Sequence, residues 1–153
     1  MTGSAAAALP ARRIALLGAE STGKTQLSRE LAAHLRARGL PAVAVPEALR
    51  EWCGRQGRTP RPEEQLAIAH AQERQVDDAL AGGAGVVIAD TTALMVLVYS
   101  GMLFEGDPLH RFALERQRTY DATLVTGLDL LWVADGLQRD AAHPPEPVGA
   151  LLR

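Results

Sequence analysis

Eight consecutive residues near the N-terminus have the types and spacing of a phosphate-binding loop, and they are Gly18-Ala19-Glu20-Ser21-Thr22-Gly23-Lys24-Thr25. They match the pattern G-x-x-x-x-G-K-[ST] at every fixed position. Glycines let successive backbone N–H groups point into one concavity that binds phosphate oxygens. We expect Lys24 to neutralise the β- and γ-phosphates of ATP or GTP, and the Thr25 hydroxyl to bind Mg²⁺. The alternative is a chance glycine turn.

Two acidic residues follow apolar runs that predict buried strands. Asp90 comes after the run 86–89 and is predicted to hold Mg²⁺, directly or through water. The alternative is a helix N-cap, because Asp90-Thr91-Thr92 also suits a helix start. Glu47 comes after the run 42–45 and is a candidate general base for a substrate hydroxyl. Its alternative is a solvated residue in the first turn of a helix.

Other polar residues give weaker signals. Arg139 lies in a charged loop, where a kinase lid would place an arginine on the transferring phosphoryl group. The alternative is an exposed charge on a surface loop. Gln65 and Gln72 lie two turns apart on a predicted helix, so they either line a substrate pocket or lie at the surface. Cys53 and the four histidines show no metal-ligand spacing or activating neighbours.

Alternating strands and helices position these residues. Apolar runs and helical periodicity predict strands at 13–17, 42–45, 86–89 and 122–125 and helices at 24–38, 48–56, 62–80, 92–104 and 108–119. This alternation predicts a doubly wound α/β domain, with a parallel sheet covered on both faces. Ligands of such sheets bind outside the carboxyl ends of the strands. The phosphate loop, Glu47 and Asp90 are therefore expected at one edge.

The composition limits the classes of function. A chain of 153 residues is long enough for one domain, which we place at 12–153 after a disordered tail at 1–11. The net charge of −2 gives no reason to expect nucleic acid or an anionic membrane as partner. With one cysteine no intramolecular disulfide can form, and a cytoplasmic setting is expected. The most apolar run, 93–104, is too short to span a bilayer.

Five segments occur in one order: Gly-Ala-Glu-Ser-Thr-Gly-Lys-Thr at 18–25, Pro-Glu-Ala-Leu-Arg-Glu-Trp at 46–52, Pro-Glu-Glu-Gln at 62–65, Ile-Ala-Asp-Thr-Thr at 88–92 and Trp-Val-Ala-Asp-Gly-Leu at 132–137. Together they resemble the ribosylnicotinamide kinase domain of NadR-type proteins, within a wider family often labelled AAA-family ATPase. The resemblance implies a P-loop kinase fold, with ATP at Gly18–Thr25 and Mg²⁺ near Thr25 and Asp90. It also implies a lid from Asp135 and transfer of the γ-phosphoryl group to the 5′-hydroxyl of nicotinamide riboside.

Two departures from the family keep other functions open. The family has an arginine directly after Asp-Gly-Leu, where this chain has Gln138 and then Arg139. The family also has five strands, whereas four are recognisable here, so we expect a C-terminal truncation. The alternatives are an ATPase switch acting on a protein partner and an inactive remnant. A standard GTPase is excluded, because its Asn-Lys-x-Asp motif needs a lysine besides Lys24 and the chain has none.

Overall fold

Four parallel strands form the sheet at the centre of the fold. The computed structural model describes residues 9–19, 22–101 and 107–127, and in them the strands are β1 (Arg12–Leu17), β2 (Ala42–Val45), β3 (Val86–Asp90) and β4 (Ala122–Val125). Their order across the sheet is β2-β3-β1-β4, and every neighbouring pair is parallel. The predicted α/β class with a parallel sheet is confirmed.

Helices connect these strands, and their ends follow the local sequence. In the described part they are α1 (Lys24–Ala37), α2 (Ala48–Gln56), α3 (Gln65–Ala81), α4 (Ala93–Ser100) and α5 (Pro108–Gln117). The long helix predicted from Pro62 begins instead with one 3₁₀ turn, Pro62–Glu64. The Glu64 carboxylate accepts from the Arg61 backbone N–H at 2.7 Å, which tightens this first turn. None of the described helices is both long and apolar enough to cross a membrane.

The helices cover both faces of the sheet, as the alternating pattern predicts. On one face, Ala32 of α1 packs against Leu16 and Ile88. On the other face, Val76 of α3 packs against Val87, and α4 lies beside α3. Helices α2 and α5 pack outside α3 and α4 in a separate apolar cluster. Burial on both faces explains why β3 is a continuous apolar run up to Asp90, whereas all four residues of β4 are exposed.

The buried stripe of α1 differs slightly from the prediction. Leu31 and Leu35 pack against the sheet as predicted, but Leu27 is 39% exposed. Ser28 and Ala32 are buried instead and lie at the centre of the stripe. Leu27 and Leu31 each precede one of these buried residues by one position, which is about 100° around the helix, so the leucines lie at the margin of the buried stripe.

The chain leaves β1 and β3 in opposite directions. From β1 it passes through α1 to β2, on the far side of β3, and from β3 it passes through α4 and α5 to β4, on the far side of β1. In an open parallel sheet, such a switch leaves a crevice at the carboxyl ends of the two strands. The phosphate loop and Asp90 both lie at this crevice.

Candidate functional site

The phosphate loop has glycines at both ends in backbone conformations that other residues rarely adopt. Gly18 has a φ of 148° and Gly23 a φ of 82°. A Cβ atom at Gly18 would overlap the Thr126 hydroxyl oxygen, and Gly23 is the N-cap residue of α1. The chain therefore needs glycine at both fixed positions of the motif. The predicted loop residues Glu20 and Ser21 lie outside the described residues.

Lys24 is buried at the start of α1, although it carries a charge. It is 4% exposed, and its Nζ donates to the carbonyl oxygens of Gly18 at 2.9 Å and Ala19 at 2.6 Å. A buried ammonium group is costly unless such acceptors compensate it. The lysine thus lies folded against the loop whose phosphates it was predicted to bind.

Thr25 and Asp90 meet across the crevice. The Thr25 hydroxyl donates to Asp90 Oδ2 at 2.5 Å, because Asp90 pairs with Leu16 at the end of β1. Asp90 is 2% exposed, and its other carboxylate oxygen, Oδ1, has no hydrogen-bond partner among the described residues. A buried carboxylate oxygen without a donor favours binding of a cation. Carboxylate and hydroxyl oxygens are ligands that suit Mg²⁺.

Asp90 is not the N-cap of the helix that follows it, so that alternative is wrong. Thr92 is the N-cap of α4 and accepts from the Leu94 N–H at 3.3 Å. Between them, Thr91 has a φ of 69°, which is a genuine outlier for a β-branched residue. This strained turn directs the chain from β3 into α4 and leaves the Asp90 carboxylate facing Thr25. No feature of the sequence indicated the strain at Thr91.

Glu47 lies at the end of β2, beside β3. Val45 pairs with Ala89, so Glu47 and Asp90 emerge from neighbouring strands at the same edge. Glu47 is 4% exposed, which contradicts the alternative of a solvated residue. Its Oε2 lies 3.6 Å from Arg50 Nε, so the two side chains form an ion pair one turn apart. The structure thus places a buried carboxylate where the general base was expected.

Two buried polar residues of α3 position this edge, and sequence analysis did not assign them that role. Gln72 accepts from the Ala48 N–H at 2.7 Å and donates to the Pro46 carbonyl at 3.2 Å, so it fixes the turn that carries Glu47. Glu73 accepts from the Ala93 N–H at 2.9 Å, at the start of α4. The surface interpretation of Gln65 and Gln72 is wrong, since both are buried.

Thr126 is a further site residue that sequence analysis missed. It follows β4 directly, and its hydroxyl lies 2.5 Å from the Thr22 hydroxyl of the phosphate loop, one donating to the other. Its backbone N–H donates to the Leu17 carbonyl at 2.9 Å. The signal that could have found it is its position, because it is a polar residue just past the end of a strand, like Glu47 and Asp90.

The site consists of a strand, a phosphate loop and a helix, and an acidic residue ends the neighbouring strand. This arrangement defines a P-loop NTPase fold, the class that includes kinases and ATPases. The protein family described as "AAA domain" matches residues 13–148, and the chain belongs to this family. No curated protein matches the sequence.

Two solved structures are similar in fold. The crystal structure of NadR protein in complex with NAD and AMP-PNP has a TM-score of 0.59 at 22% identity, over 75% of this chain and 34% of that one. The structure of NadR protein in complex with NR gives 0.58 at 22% identity, over 75% and 33%. The likeness to NadR-type proteins predicted from the motifs is therefore confirmed at the level of the fold. This chain spans about a third of the length of those two. Arg139 and the segment 132–137 lie outside the described residues.

Proposed function

We propose that this chain is an ATP-dependent kinase that transfers the γ-phosphoryl group of ATP to a nucleoside hydroxyl, with nicotinamide riboside as the first candidate acceptor. The observation that carries the proposal is the arrangement at the crevice. Thr25 is hydrogen-bonded to Asp90, Lys24 precedes Thr25, and the buried Glu47 lies just after the neighbouring strand β2.

The nucleotide end of the site is formed by the phosphate loop and α1. The N-terminus of α1 adds partial positive charge where the triphosphate would lie. Lys24 Nζ exchanges its bonds to the Gly18 and Ala19 carbonyl oxygens for bonds to phosphate oxygens. The complex of a NadR protein with NAD and AMP-PNP supports ATP as the nucleotide, because that protein shares this fold.

Thr25 and Asp90 are the residues that would hold Mg²⁺. No group of three or more His, Cys, Asp or Glu side chains is placed to hold a metal in the described part of the chain. Magnesium in phosphoryl-transfer sites is usually held by one or two carboxylates together with substrate phosphates, so a single carboxylate beside a hydroxyl fits it. When bound, Mg²⁺ would neutralise charge on the β- and γ-phosphates.

Glu47 is proposed as the general base. It accepts the proton of the acceptor hydroxyl as that oxygen bonds to the γ-phosphorus, and the bond to the bridging oxygen of ADP breaks. Its carboxylate is buried and ion-paired with Arg50, which limits the number of orientations that it can adopt. Arg139 remains the proposed lid residue, on sequence grounds. The choice of nicotinamide riboside rests on the motif resemblance and on the NadR complex with NR.

The test is Mg²⁺-dependent phosphorylation of a nucleoside panel by the full chain, with product identified by mass spectrometry. We expect one nucleoside to be phosphorylated and Lys24→Ala to abolish turnover. Glu47→Gln should lower kcat by about 10²- to 10⁴-fold, as expected for loss of a general base. The matched control is Glu51→Gln, an exposed carboxylate in the first turn of α2, the helix that Glu47 precedes, and it should leave kcat unchanged.

ATP hydrolysis that no nucleoside alters would contradict the kinase and support an ATPase acting on a protein partner, which is compatible with the AAA-domain family. Absence of both transfer and hydrolysis would contradict catalysis altogether. An effect of Glu51→Gln as large as that of Glu47→Gln would remove Glu47 from the role of base.

A further inference from the structure

A cavity lies between α2, the start of α3 and the end of α4. Its volume is about 290 Å³, near the lower end of the range for small-molecule sites. It is lined by Leu49, Thr59, Pro60, Pro62, Gln65, Tyr99 and Ser100. We call it the Gln65 pocket.

Gln65 is the unusual residue of this pocket. It is 7% exposed, and its side-chain carbonyl oxygen is buried without a hydrogen-bond partner among the described residues. Burying a polar group unpaired is unfavourable, so such groups are rare in folded proteins and call for an explanation. An apolar side chain at the first position of α3 would pack against Leu49 and the prolines without this cost. An amide at this position is therefore suited to hydrogen bonding with a small molecule in the pocket.

The position of the pocket suits the base of a nucleoside. Leu49 in its wall is two residues beyond Glu47, the proposed base. Tyr99 and Ser100 end α4, which begins three residues after Asp90. The eight residues of α4 span about 12 Å, a distance comparable to the length of a nucleoside. An acceptor whose hydroxyl reaches Glu47 would thus extend its base toward Gln65.

We propose that the Gln65 pocket binds the base of the acceptor, and that Gln65 selects bases carrying an amide-type edge, a carbonyl oxygen beside an N–H group. This inference rests on the proposed kinase function. A glutamine amide offers one acceptor and one donor group, which match the N–H and the carbonyl of such an edge. Leu49, Pro60 and Pro62 supply apolar surface for the faces of the ring. Both the carboxamide of nicotinamide and the lactam of hypoxanthine have this edge.

The experiment compares matched pairs of acceptors with wild type and Gln65→Met. One pair is nicotinamide riboside and its analogue without the carboxamide, and the other is inosine and purine riboside. Wild type should prefer one amide-bearing member by roughly 10-fold or more in kcat/KM, the order that one buried hydrogen bond contributes. Gln65→Met should abolish that preference and leave the KM for ATP unchanged. The pair that shows the effect identifies the source of the amide.

The control variant is Gln75→Met, on the same helix but outside this pocket, which should keep the preference. If Gln65→Met fails to fold, Gln65→Glu keeps the shape and the acceptor but loses the donor. It should also lose the preference. Equal preference in wild type and in the folded Gln65 variant would overturn the inference while leaving the kinase intact.

Failure of the kinase itself would give a different result. If wild type phosphorylates no nucleoside, binding of free nicotinamide and hypoxanthine is measured by saturation-transfer NMR with wild type and Gln65→Met. If Gln65→Met abolishes this binding, the result would support the Gln65 pocket as a binding site even though the kinase proposal has failed. No binding, or equal binding to both proteins, would overturn the pocket as well.

Discussion

At the scale of single residues, the contact between Gly18 and Thr126 joins the phosphate loop to the end of β4. Two hydrogen bonds hold Thr126 at this contact: one joins its hydroxyl to the Thr22 hydroxyl, and the other joins its backbone N–H to the Leu17 carbonyl. The loop is therefore held from outside its own motif, by a residue more than a hundred positions further along the chain.

We predict that Gly18→Ala destabilises the fold by about 1–3 kcal/mol, because the new Cβ would overlap the Thr126 hydroxyl at a backbone φ that alanine disfavours. Urea denaturation gives the free energy of unfolding. Adding Thr126→Ala to this variant should restore part of the loss by removing the overlap.

The matched control for this prediction is Gly54→Ala in α2. That glycine lies within a helix, and an alanine Cβ there would meet no neighbouring atom within 4 Å, so the substitution should stabilise the fold by up to about 1 kcal/mol. A Gly18→Ala variant as stable as wild type would show that the loop does not need its close approach to Thr126.

At the scale of elements, α4 is held at its start by a buried carboxylate from α3. Glu73 accepts from the Ala93 N–H at 2.9 Å, and its other oxygen lies 3.3 Å from Arg116 Nε and 3.1 Å from the Tyr120 hydroxyl. Burial and the neighbouring Glu73 carboxylate raise the pKa of Tyr120 well above its usual value. One side chain of α3 is thus joined to the start of α4 and to α5.

Glu73→Gln should lower the free energy of unfolding by about 2 kcal/mol or more, since the charge opposite Arg116 is lost and a buried group is left mispaired. Chemical denaturation measures the change. Glu115→Gln, an exposed carboxylate on α5, should change stability by less than about 0.5 kcal/mol. Equal effects of the two substitutions would show that the Glu73 network contributes no stability of its own.

The sequence predicted the elements well because glycines and prolines mark their ends. Gly39 and Pro41 separate α1 from β2, and Pro108 opens α5, so strands and helices fall within a few residues of their predicted bounds. The roles of Gln72 and Glu73 were not predictable in the same way. Their partners lie 20 to 47 residues away, and a polar residue in an amphipathic helix is indistinguishable from a surface residue until the helix is packed.

At the scale of the whole molecule, the single cysteine should make the free energy of unfolding fall at alkaline pH. Cys53 is buried in the apolar cluster formed by α2, α3, α4 and α5. Burial, and then the nearby Glu47 carboxylate, raise the pKa of the Cys53 thiol. A pKa higher in the folded than in the unfolded state means that folding disfavours loss of the proton.

We predict that this stabilising contribution is complete below about pH 8.5, the usual pKa of an unfolded thiol. It is lost as pH rises through the folded pKa, and Tyr120 adds a loss of the same sign above about pH 10. Urea denaturation of wild type and Cys53→Ala between pH 7 and 9.5 measures it, and the wild type should lose stability more steeply. Native Cys53 should also react with iodoacetamide far more slowly than in urea. Equal rates would contradict its burial.

The lone lysine has a consequence for chemical labelling. The chain carries its positive charge on fifteen arginines and on Lys24, so its surface offers no lysine amine to an acylating reagent. The one side-chain amine lies folded against the Gly18 and Ala19 carbonyl oxygens. Acylation of that amine therefore requires the loop to release it, and the labelling rate measures how often the loop opens.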